Sequence, residues 1–379
     1  MHFIILLGLV SLFGDVTYEG ARSVVGPYLH MLGANAAVVS LVAGAGEFVG
    51  YAVRLASGYV ADHTKAYWLL IFIGYGLLLC VPLLAFAGHW QLAVVFVILE
   101  RVGKAIRSPA RDTMLSYATK AVGRGWGFAV HEALDQVGAI IGPIFFSFVL
   151  ILNGDYREGF VLLWIPALLV LALLALARKK FPSPQNLEAP EETNTRSSTN
   201  KLRKVFWLYI AFTLFSVAGF ANFQLISYHL KVHNIVPDAQ IPTMYVIAMG
   251  VDALTALIVG KTYDRIGLIS LLTVPLLIVP IPFLAFSHSY SLVVVGMVLW
   301  GAVMGIQETI MRAAIADLTP IERRGFAYGI FNTVYGAGWL LGGTVMGLFY
   351  ELSLSYLVLF VIIVELLSVP LFFLVKRTA

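Results

Sequence analysis

Apolar stretches recur along the whole chain and are separated by short polar connections. A helix needs about 20 apolar residues to cross the hydrocarbon core of a bilayer, and most of these stretches are that long. The pattern predicts an all-α membrane protein with twelve transmembrane helices. The predicted spans are 3–31, 36–61, 66–87, 90–108, 124–151, 158–177, 205–231, 240–261, 267–286, 290–311, 325–350 and 354–375.

One long polar stretch, 178–204, interrupts this pattern. It contains Pro182, Pro184 and Pro190 and is rich in serine, threonine, asparagine and glutamate. That composition is typical of a flexible linker. We therefore expect a six-helix half at 1–177, a linker at 178–204 and a second six-helix half at 205–379.

The two predicted halves repeat each other at an offset of about 200 residues. A membrane protein made of two matching halves is typical of secondary transporters, in which one half moves against the other around a central site. The repeated elements are Arg124-Gly125-Trp126 with Arg324-Gly325-Phe326, Gly138 with Gly338, Gly142 with Gly342, and Asp62 with Asp264.

Charge is scarce and its distribution predicts the orientation. Only 12% of the 379 residues are charged and the net charge is +4, which argues against a nucleic-acid partner. Of the 25 lysines and arginines, all but five lie in the tails or on the side of the even-numbered connections. Basic residues favour the cytoplasmic side, so we expect both termini and the linker in the cytoplasm and the protein in the cytoplasmic (inner) membrane.

A short motif follows the second span and returns after the eighth. Gly58 and Asp62 lie in the first copy, and Gly260, Asp264 and Arg265 lie in the second. An acid at such a position can cap a helix and pair with an arginine, and those bonds can form in one conformation and break in the other. A charged turn without a gating role is the alternative.

This motif makes the chain resemble the major facilitator superfamily across essentially its whole length. The family signature is glycine, three residues, aspartate, then basic residues and a glycine. The second copy matches it, whereas the first has His63 where arginine is usual and lacks the final glycine. The resemblance implies a major facilitator fold of two pseudo-symmetric six-helix halves and a cavity lined by spans 1, 4, 7 and 10.

Span 1 carries a polar stripe of Asp15, Tyr18, Glu19 and Arg22 on one face of the helix. Charges within the membrane are costly and therefore mark functional candidates. If Arg22 neutralises one carboxylate, the other is available to bind a proton, as a proton-coupled carrier requires. A structural ion-pair cluster is the alternative.

Spans 4 and 5 supply the other proton-coupling candidates. Arg101 lies where the resemblance places an arginine that modulates a nearby acid, while Lys104, Arg107 and Arg111 are expected in a basic cluster at the cytoplasmic end. His131, Glu132 and Asp135 precede Gly138, Gly142 and Pro143 in span 5. Glycines four residues apart allow close helix packing. Their pattern, with the proline, resembles the antiporter signature in part and favours export.

The second half contains fewer acids and offers hydrogen-bonding groups instead. Together with Tyr18, these are the candidates to contact substrate. Aromatic residues such as Phe220 and Trp300 can line the same cavity, and the alternative for them is to face lipid or to pack the interior. The candidates in the second half are Asn222, Gln224, Gln307, Glu308 and Asn332.

Other functional classes find no support in the sequence. The chain lacks a phosphate-binding loop of the ATPase type, the motifs of common hydrolases, and a multi-cysteine metal site, since Cys80 is its one cysteine. We expect a monomer that uses no cofactor and no metal and is not an enzyme. The predicted function is proton-coupled efflux of a small organic molecule by antiport. The alternative is a proton-coupled symporter that imports a sugar, an organic anion or a metal complex.

Overall fold

The structure is a computed structural model that describes residues 2–119, 124–152, 154–183, 204–319 and 324–378. These residues are almost all helical, and the described part contains no strand. The helices are α1 (His2–Met31), α2 (Ala36–Thr64), α3 (Tyr67–Gly76), α4 (Cys80–Leu83), α5 (Trp90–Thr119), α6 (Arg124–Ile151), α7 (Tyr156–Leu162), α8 (Trp164–Lys180), α9 (Lys204–Ala218), α10 (Phe223–Val232), α11 (Ile241–Ile266), α12 (Thr273–Ile278), α13 (Ile281–Ala285), α14 (Tyr290–Ile306), α15 (Arg312–Leu318), α16 (Arg324–Leu352) and α17 (Leu354–Thr378).

Some predicted spans are interrupted. Short 3-10 turns at Leu77–Leu79, Leu84–Phe86 and Gly267–Leu272 join neighbouring helices, and a π-helical turn at Gln307–Met311 joins α14 to α15. Pro82 and Pro275 lie within three residues of these turns and cannot donate a backbone hydrogen bond. The helices are therefore less regular than the hydrophobic pattern alone predicts.

Ten stretches of the described chain are long and apolar enough to cross a membrane: His2–Met31, Ala36–Ala61, Tyr67–Phe86, Ala133–Ile151, Tyr156–Lys180, Lys204–Val232, Asp238–Gly260, Gly267–Ala285, Tyr290–Ile315 and Leu354–Thr378. The other two predicted spans, 90–108 and 325–350, are helical and belong to α5 and α16. Charged residues lower the hydropathy of α5, and glycines lower that of α16. The all-α membrane fold is confirmed, and the count of twelve spans is consistent with it.

Large apolar side chains are exposed along the outer faces of the helices. On α11, for example, Leu254, Leu257 and Ile258 are 63%, 72% and 65% exposed. Such a patch is a liability in water, whereas lipid tails solvate it readily. The bilayer therefore completes the environment of these faces.

The contacts divide the chain into two compact units. One contains residues 1–24 and 52–197, and the other contains residues 25–51 and 198–379. The end of α1 and the first half of α2 thus belong by their contacts to the unit of the second half, although the sequence places them in the first.

The contacts of α2 with α16 in the second unit explain this grouping. A Cβ added at Gly44 would lie 2.5 Å from the carbonyl oxygen of Trp339. Ser40 donates a hydrogen bond to the carbonyl oxygen of Gly343 at 2.6 Å, and Glu351 accepts one from the backbone N–H of Ala36 at 2.6 Å. We call this contact the α2–α16 seam.

Candidate functional site

The polar stripe of α1 lies against basic side chains of α5. The guanidinium carbon of Arg101 lies 4.6 Å and Nζ of Lys104 lies 3.9 Å from the ring centroid of Tyr18, within cation–π range. Glu19 lies 3.6 Å from Nη1 of Arg22 and 4.0 Å from Nζ of Lys104. The stripe therefore belongs to a charged cluster that joins two helices.

Asp15 differs from the other acids of this cluster. Its side chain is half-buried, and the described part of the structure gives its carboxyl group no hydrogen bond and no ion pair within 4.0 Å. Arg22 pairs with Glu19 instead. Of the two acids in the stripe, Asp15 is thus the one whose carboxyl oxygens have no direct partner.

A second polar cluster surrounds Arg111 on α5. Arg111 donates hydrogen bonds to Ser11 of α1 at 2.9 Å and to Asp112 at 3.0 Å, and lies 3.6 Å from Asp135 of α6. The ring of His131 lies between the same groups, with Nε2 3.1 Å from the Ser11 hydroxyl and Nδ1 3.5 Å from Asp135. We call Ser11, Arg111, His131 and Asp135 the Arg111 cluster.

Glycines bring α6 close enough to α1 to form these contacts. A Cβ added at Gly142 would lie 2.5 Å from the carbonyl oxygen of Val16, and one added at Gly138 would lie 3.1 Å from Cβ of Asp15. Real Cβ atoms essentially never lie within 3.0 Å of another atom, and a separation of 3.1 Å is tighter than nine in ten of their contacts. The polar residues of α6 therefore share the face of the helix that is packed most tightly.

Three basic residues make contacts that the sequence did not predict. Lys104, Arg107 and Arg111 were expected in a basic cluster at the cytoplasmic end, which stays a prediction, and each of them contacts a buried group. Arg107 is 3% exposed, lies 3.5 Å from Glu100, and donates to the carbonyl oxygen of Gly74 at 3.2 Å. The sequence prediction assigned these residues by their position in the chain, which does not report the direction of a side chain.

The predicted gating motifs lie in the last turns of two helices and not in the loops after them. Helix α2 continues to Thr64 and α11 continues to Ile266, so Gly58 and Gly260 are helical. Arg265 is exposed, and the side chains of Asp62, Asp264 and Glu132 lie outside the described part of the structure. The gating role remains a prediction.

The position seven residues after each motif glycine has an unusual backbone conformation in both copies. Gly267 has φ +63° and Lys65 has φ +53°. Glycine adopts this left-handed region readily, whereas other residues pay an energetic cost. The glycine missing from the first copy is thus missing at a position where the backbone still requires positive φ.

A helix break marks the corresponding part of the second half. Helix α9 ends at Ala218 and α10 begins at Phe223. The side-chain oxygen of Asn222 accepts from the backbone N–H of Leu225 at 2.8 Å and caps α10, and its nitrogen donates to Ser40 at 2.7 Å. Trp300 donates to the carbonyl oxygen of Ala221, which lies within the break, at 2.8 Å. Asn222, a predicted substrate contact, is thus engaged at both ends in holding the fold.

Gln307 is the most distinctive of the other substrate candidates. It begins the π-helical turn, is fully buried, and accepts a hydrogen bond from the Tyr335 hydroxyl at 2.9 Å, while its Nε2 has no partner in the described part of the structure. Interruptions of this kind occur often at functional sites. Gln224 is also buried, whereas Glu308 and Asn332 are half-buried. Phe220 stacks on Trp300 at 5.3 Å, so this aromatic pair packs the interior.

Metal binding finds no support among the described residues. No group of three or more histidine, cysteine, aspartate or glutamate side chains there is arranged to hold a metal ion.

The sequence profile of the Major Facilitator Superfamily matches residues 7–306 and 236–379. The chain belongs to this superfamily. An uncharacterized protein of Mycobacterium bovis is 42% identical over 99% of this chain and 93% of its own length. An uncharacterized MFS-type transporter of Methanocaldococcus jannaschii is 26% identical over 92% of this chain and 88% of its own length.

Solved structures of the superfamily share this fold. A mutant of the nucleoside transporter NupG has a TM-score of 0.79 at 16% identity, with 99% of each chain covered. A mutant of the peptide transporter POT in complex with alafosfalin has a TM-score of 0.77 at 15% identity, with 99% of this chain and 94% of that chain covered. As a member of the superfamily, the chain is a multi-pass membrane transporter with an alternating-access fold and not an enzyme.

Proposed function

We propose that the chain is a proton-driven exporter of a small organic molecule and works as a monomer in the cytoplasmic (inner) membrane with both termini in the cytoplasm. The proton is carried by the first half, with Asp15 as its principal site. The observation that carries this proposal is the carboxyl group of Asp15, which has no direct partner but lies beside an ion-paired neighbour, Glu19.

The surroundings of Asp15 support a change of charge during transport. A carboxyl group that is held by an ion pair gains little by binding a proton, whereas one without such a partner can alternate between its two forms. Lys104 and Arg111 lie on the neighbouring helix and favour the ionised form. Protonation of Asp15 would weaken the attraction between α1 and α5 and so bias the two conformations differently.

The Arg111 cluster supplies a second group that can respond to protons. His131 contacts both Ser11 and Asp135, so a proton gained by its ring changes the charge balance against Arg111. We infer that this cluster couples the ionic state of α6 to the position of α1 and α5. Glu132 stays a candidate for the same role on sequence grounds.

The second half supplies the neutral part of substrate recognition in this proposal. The free Nε2 of Gln307 is a hydrogen-bond donor for a carbonyl or hydroxyl oxygen of the substrate, with Gln224, Glu308 and Asn332 as further contacts. A buried amide without a partner is costly, and a bound ligand removes that cost.

A proton-coupled symporter is the second candidate, and one observation favours it for an organic anion. Arg22, Arg101 and Lys104 all surround Tyr18, which offers positive charge beside an aromatic face. The names of the fold relatives mention nucleosides and peptides, but at 15–16% identity these relatives support the fold alone. The two candidates differ in the relative direction of the two fluxes: in antiport the substrate and the proton cross in opposite directions, and in symport they cross in the same direction.

The test is a proton-flux assay in proteoliposomes that contain a pH-sensitive dye, with a panel of neutral, anionic and zwitterionic compounds. We expect a compound that triggers proton movement in the wild type and in Glu158→Gln, an exposed acid of the same half. In Asp15→Asn the rate of this proton movement should fall at least tenfold, while the variant still binds the compound. Glu19→Gln should retain it in part, because Glu19 is ion-paired.

Two results would contradict the proposal. Substrate flux without proton movement in the wild type would exclude proton coupling. Proton movement that persists in Asp15→Asn but disappears in Glu19→Gln would transfer the role to Glu19.

A further inference from the structure

A buried acid of the second half lies against the helix break and has no role in the function proposed above. Glu365 on α17 is 1% exposed. Its Oε1 contacts Gly219, the first residue after α9. The contact is so close that a Cβ added at Gly219 would overlap Oε1. Glycine at the break thus leaves space for a carboxyl group, and the two features belong to one arrangement.

The hydrogen bonds of this carboxyl group are incomplete. The hydroxyl of Ser368 donates to the Glu365 carbonyl oxygen at 2.8 Å and also lies 3.3 Å from Oε2. Oε1 is buried and has no hydrogen-bond partner in the described part of the structure. The neighbouring Ser216 hydroxyl, three residues before Gly219, is likewise buried and without a partner.

No charged side chain in the described part of the structure hydrogen-bonds to or pairs with Glu365. Helix α17 packs against α9, α12, α13, α16 and the turn Gly267–Leu272. Of these elements, α12, α13 and the turn contain no ionisable residue. Among described side chains, none of the ionisable residues of the packed helices hydrogen-bonds to or pairs with Glu365. These residues are Lys204 and Tyr209 of α9, Tyr328, Tyr335, Tyr350 and Glu351 of α16, and Tyr356, Lys376 and Arg377 of α17.

A carboxylate in these surroundings would be a buried charge without a counter-ion, which is strongly unfavourable. The neutral acid carries no net charge, so burial in the same site costs it far less than it costs the carboxylate. The geometry therefore favours the protonated form of Glu365 in the conformation described here, in which α17 packs on the break between α9 and α10.

We propose that Glu365 is a proton-binding site of the second half, which holds a proton against the helix break at Gly219 and exchanges it with water when the break rearranges. The inference rests on the proposed function only in assigning this exchange to the transport cycle. On exchange, the carboxyl O–H bond breaks and the proton passes to a water molecule at the break. The electron pair stays on the carboxylate, which keeps the Ser368 hydroxyl as a donor.

The test is infrared spectroscopy of the full-length protein in lipid bilayers. A protonated carboxylic acid has a carbonyl stretching band separate from the amide and carboxylate bands. We expect this band in the wild type at neutral pH, and we expect Glu365→Gln to remove the component that comes from Glu365, which appears as a wild-type-minus-variant difference band. Glu351→Gln, which changes an exposed acid of the same half, should leave it in place. Ser368→Ala retains the acid and should shift the band, because it removes the hydroxyl near Oε2.

Exchange is measured by transfer into heavy water, where the band should shift as deuterium replaces the carboxyl proton. Absence of the band at neutral pH, or a band of unchanged intensity in Glu365→Gln, would overturn the protonated state. A band that does not shift in heavy water would overturn the exchange. Ser368→Ala serves as the second variant if Glu365→Gln fails to fold. These readouts need no transport substrate, so failure of proton-coupled transport in proteoliposomes is distinguishable from failure of this proposal.

Discussion

The contact of α6 with α1 and the contact of α16 with α9 have the same glycine spacing. The side chains around the two contacts differ. Gly138 and Gly142 pack on the backbone of α1, whereas on α9 Gly338 packs mainly on the side chain of Val217 and Gly342 packs on the backbone. Around the first contact lie Asp15 and the Arg111 cluster. Around the second lie an aromatic interior and a helix break.

The two motif aspartates, Asp62 and Asp264, can be aligned to compare the halves position by position. In this alignment the residues of the α1 stripe correspond to uncharged residues of the second half. Asp15, Tyr18, Glu19 and Arg22 correspond to Val217, Phe220, Ala221 and Gln224. Helix α1 is continuous, whereas the corresponding region of the second half is interrupted between Ala218 and Phe223. The duplicated backbone contact was kept, and the side chains around it diverged toward charge in one half and toward hydrogen bonding in the other.

The largest effect is expected from filling the glycine contacts. Gly142→Ala and Gly342→Ala should each lower the free energy of unfolding by about 1–3 kcal/mol, because an added methyl group meets backbone that cannot move aside. Gly50→Ala and Gly250→Ala are matched controls, since each lies in a helix with open space around an added Cβ. They should be neutral or stabilising by up to about 1 kcal/mol. Thermal unfolding in detergent measures all four, and equal stability of test and control variants would refute the shared contact.

An intermediate effect should separate the chemistry of the halves. A double-mutant cycle of Arg111→Gln and Asp135→Asn should give a coupling free energy of about 1–2 kcal/mol. A cycle of Gln307→Leu and Tyr335→Phe should give about 1 kcal/mol, because that hydrogen bond joins neutral groups. The first coupling should fall as salt is raised, since Arg111 and Asp135 are partly exposed, and the second should not. Equal salt dependence would contradict the division into a charged and a neutral half.

The smallest effect concerns the end of the duplicated motif. Lys65→Gly should raise the free energy of unfolding by about 0.5–1 kcal/mol, because glycine removes the strain of positive φ. Gly267→Ala should lower it by about 1 kcal/mol for the same reason. Chemical denaturation of each variant measures both changes. A destabilising Lys65→Gly would mean that the lysine side chain contributes more than its backbone costs.

The sequence by itself determined the membrane class, the duplication and the transporter family. These follow from the length of apolar runs and from repeated short motifs, which are local properties of the chain. The polar stripe of α1 and the close-packing glycines of α6 were also readable, since helical periodicity places them on one face. A glycine at 219 followed by an asparagine cap at 222 was a signal for the helix break that periodicity alone did not use.

Only the tertiary structure decided which of these polar residues meet. The charge pattern placed Arg111 in a basic cluster and gave it no partner, whereas its partners Ser11 and Asp135 come from two other helices. Only the structure shows that Gln307 begins a π-helical turn. Likewise, only the structure shows that Glu365 contacts Gly219, which lies 146 positions earlier in the chain. The physical reason is that the cost of a buried charge or an unpaired amide depends on what lies beside it in space. Hydrophobic periodicity predicts which face of a helix is buried and does not predict which side chains share that interior.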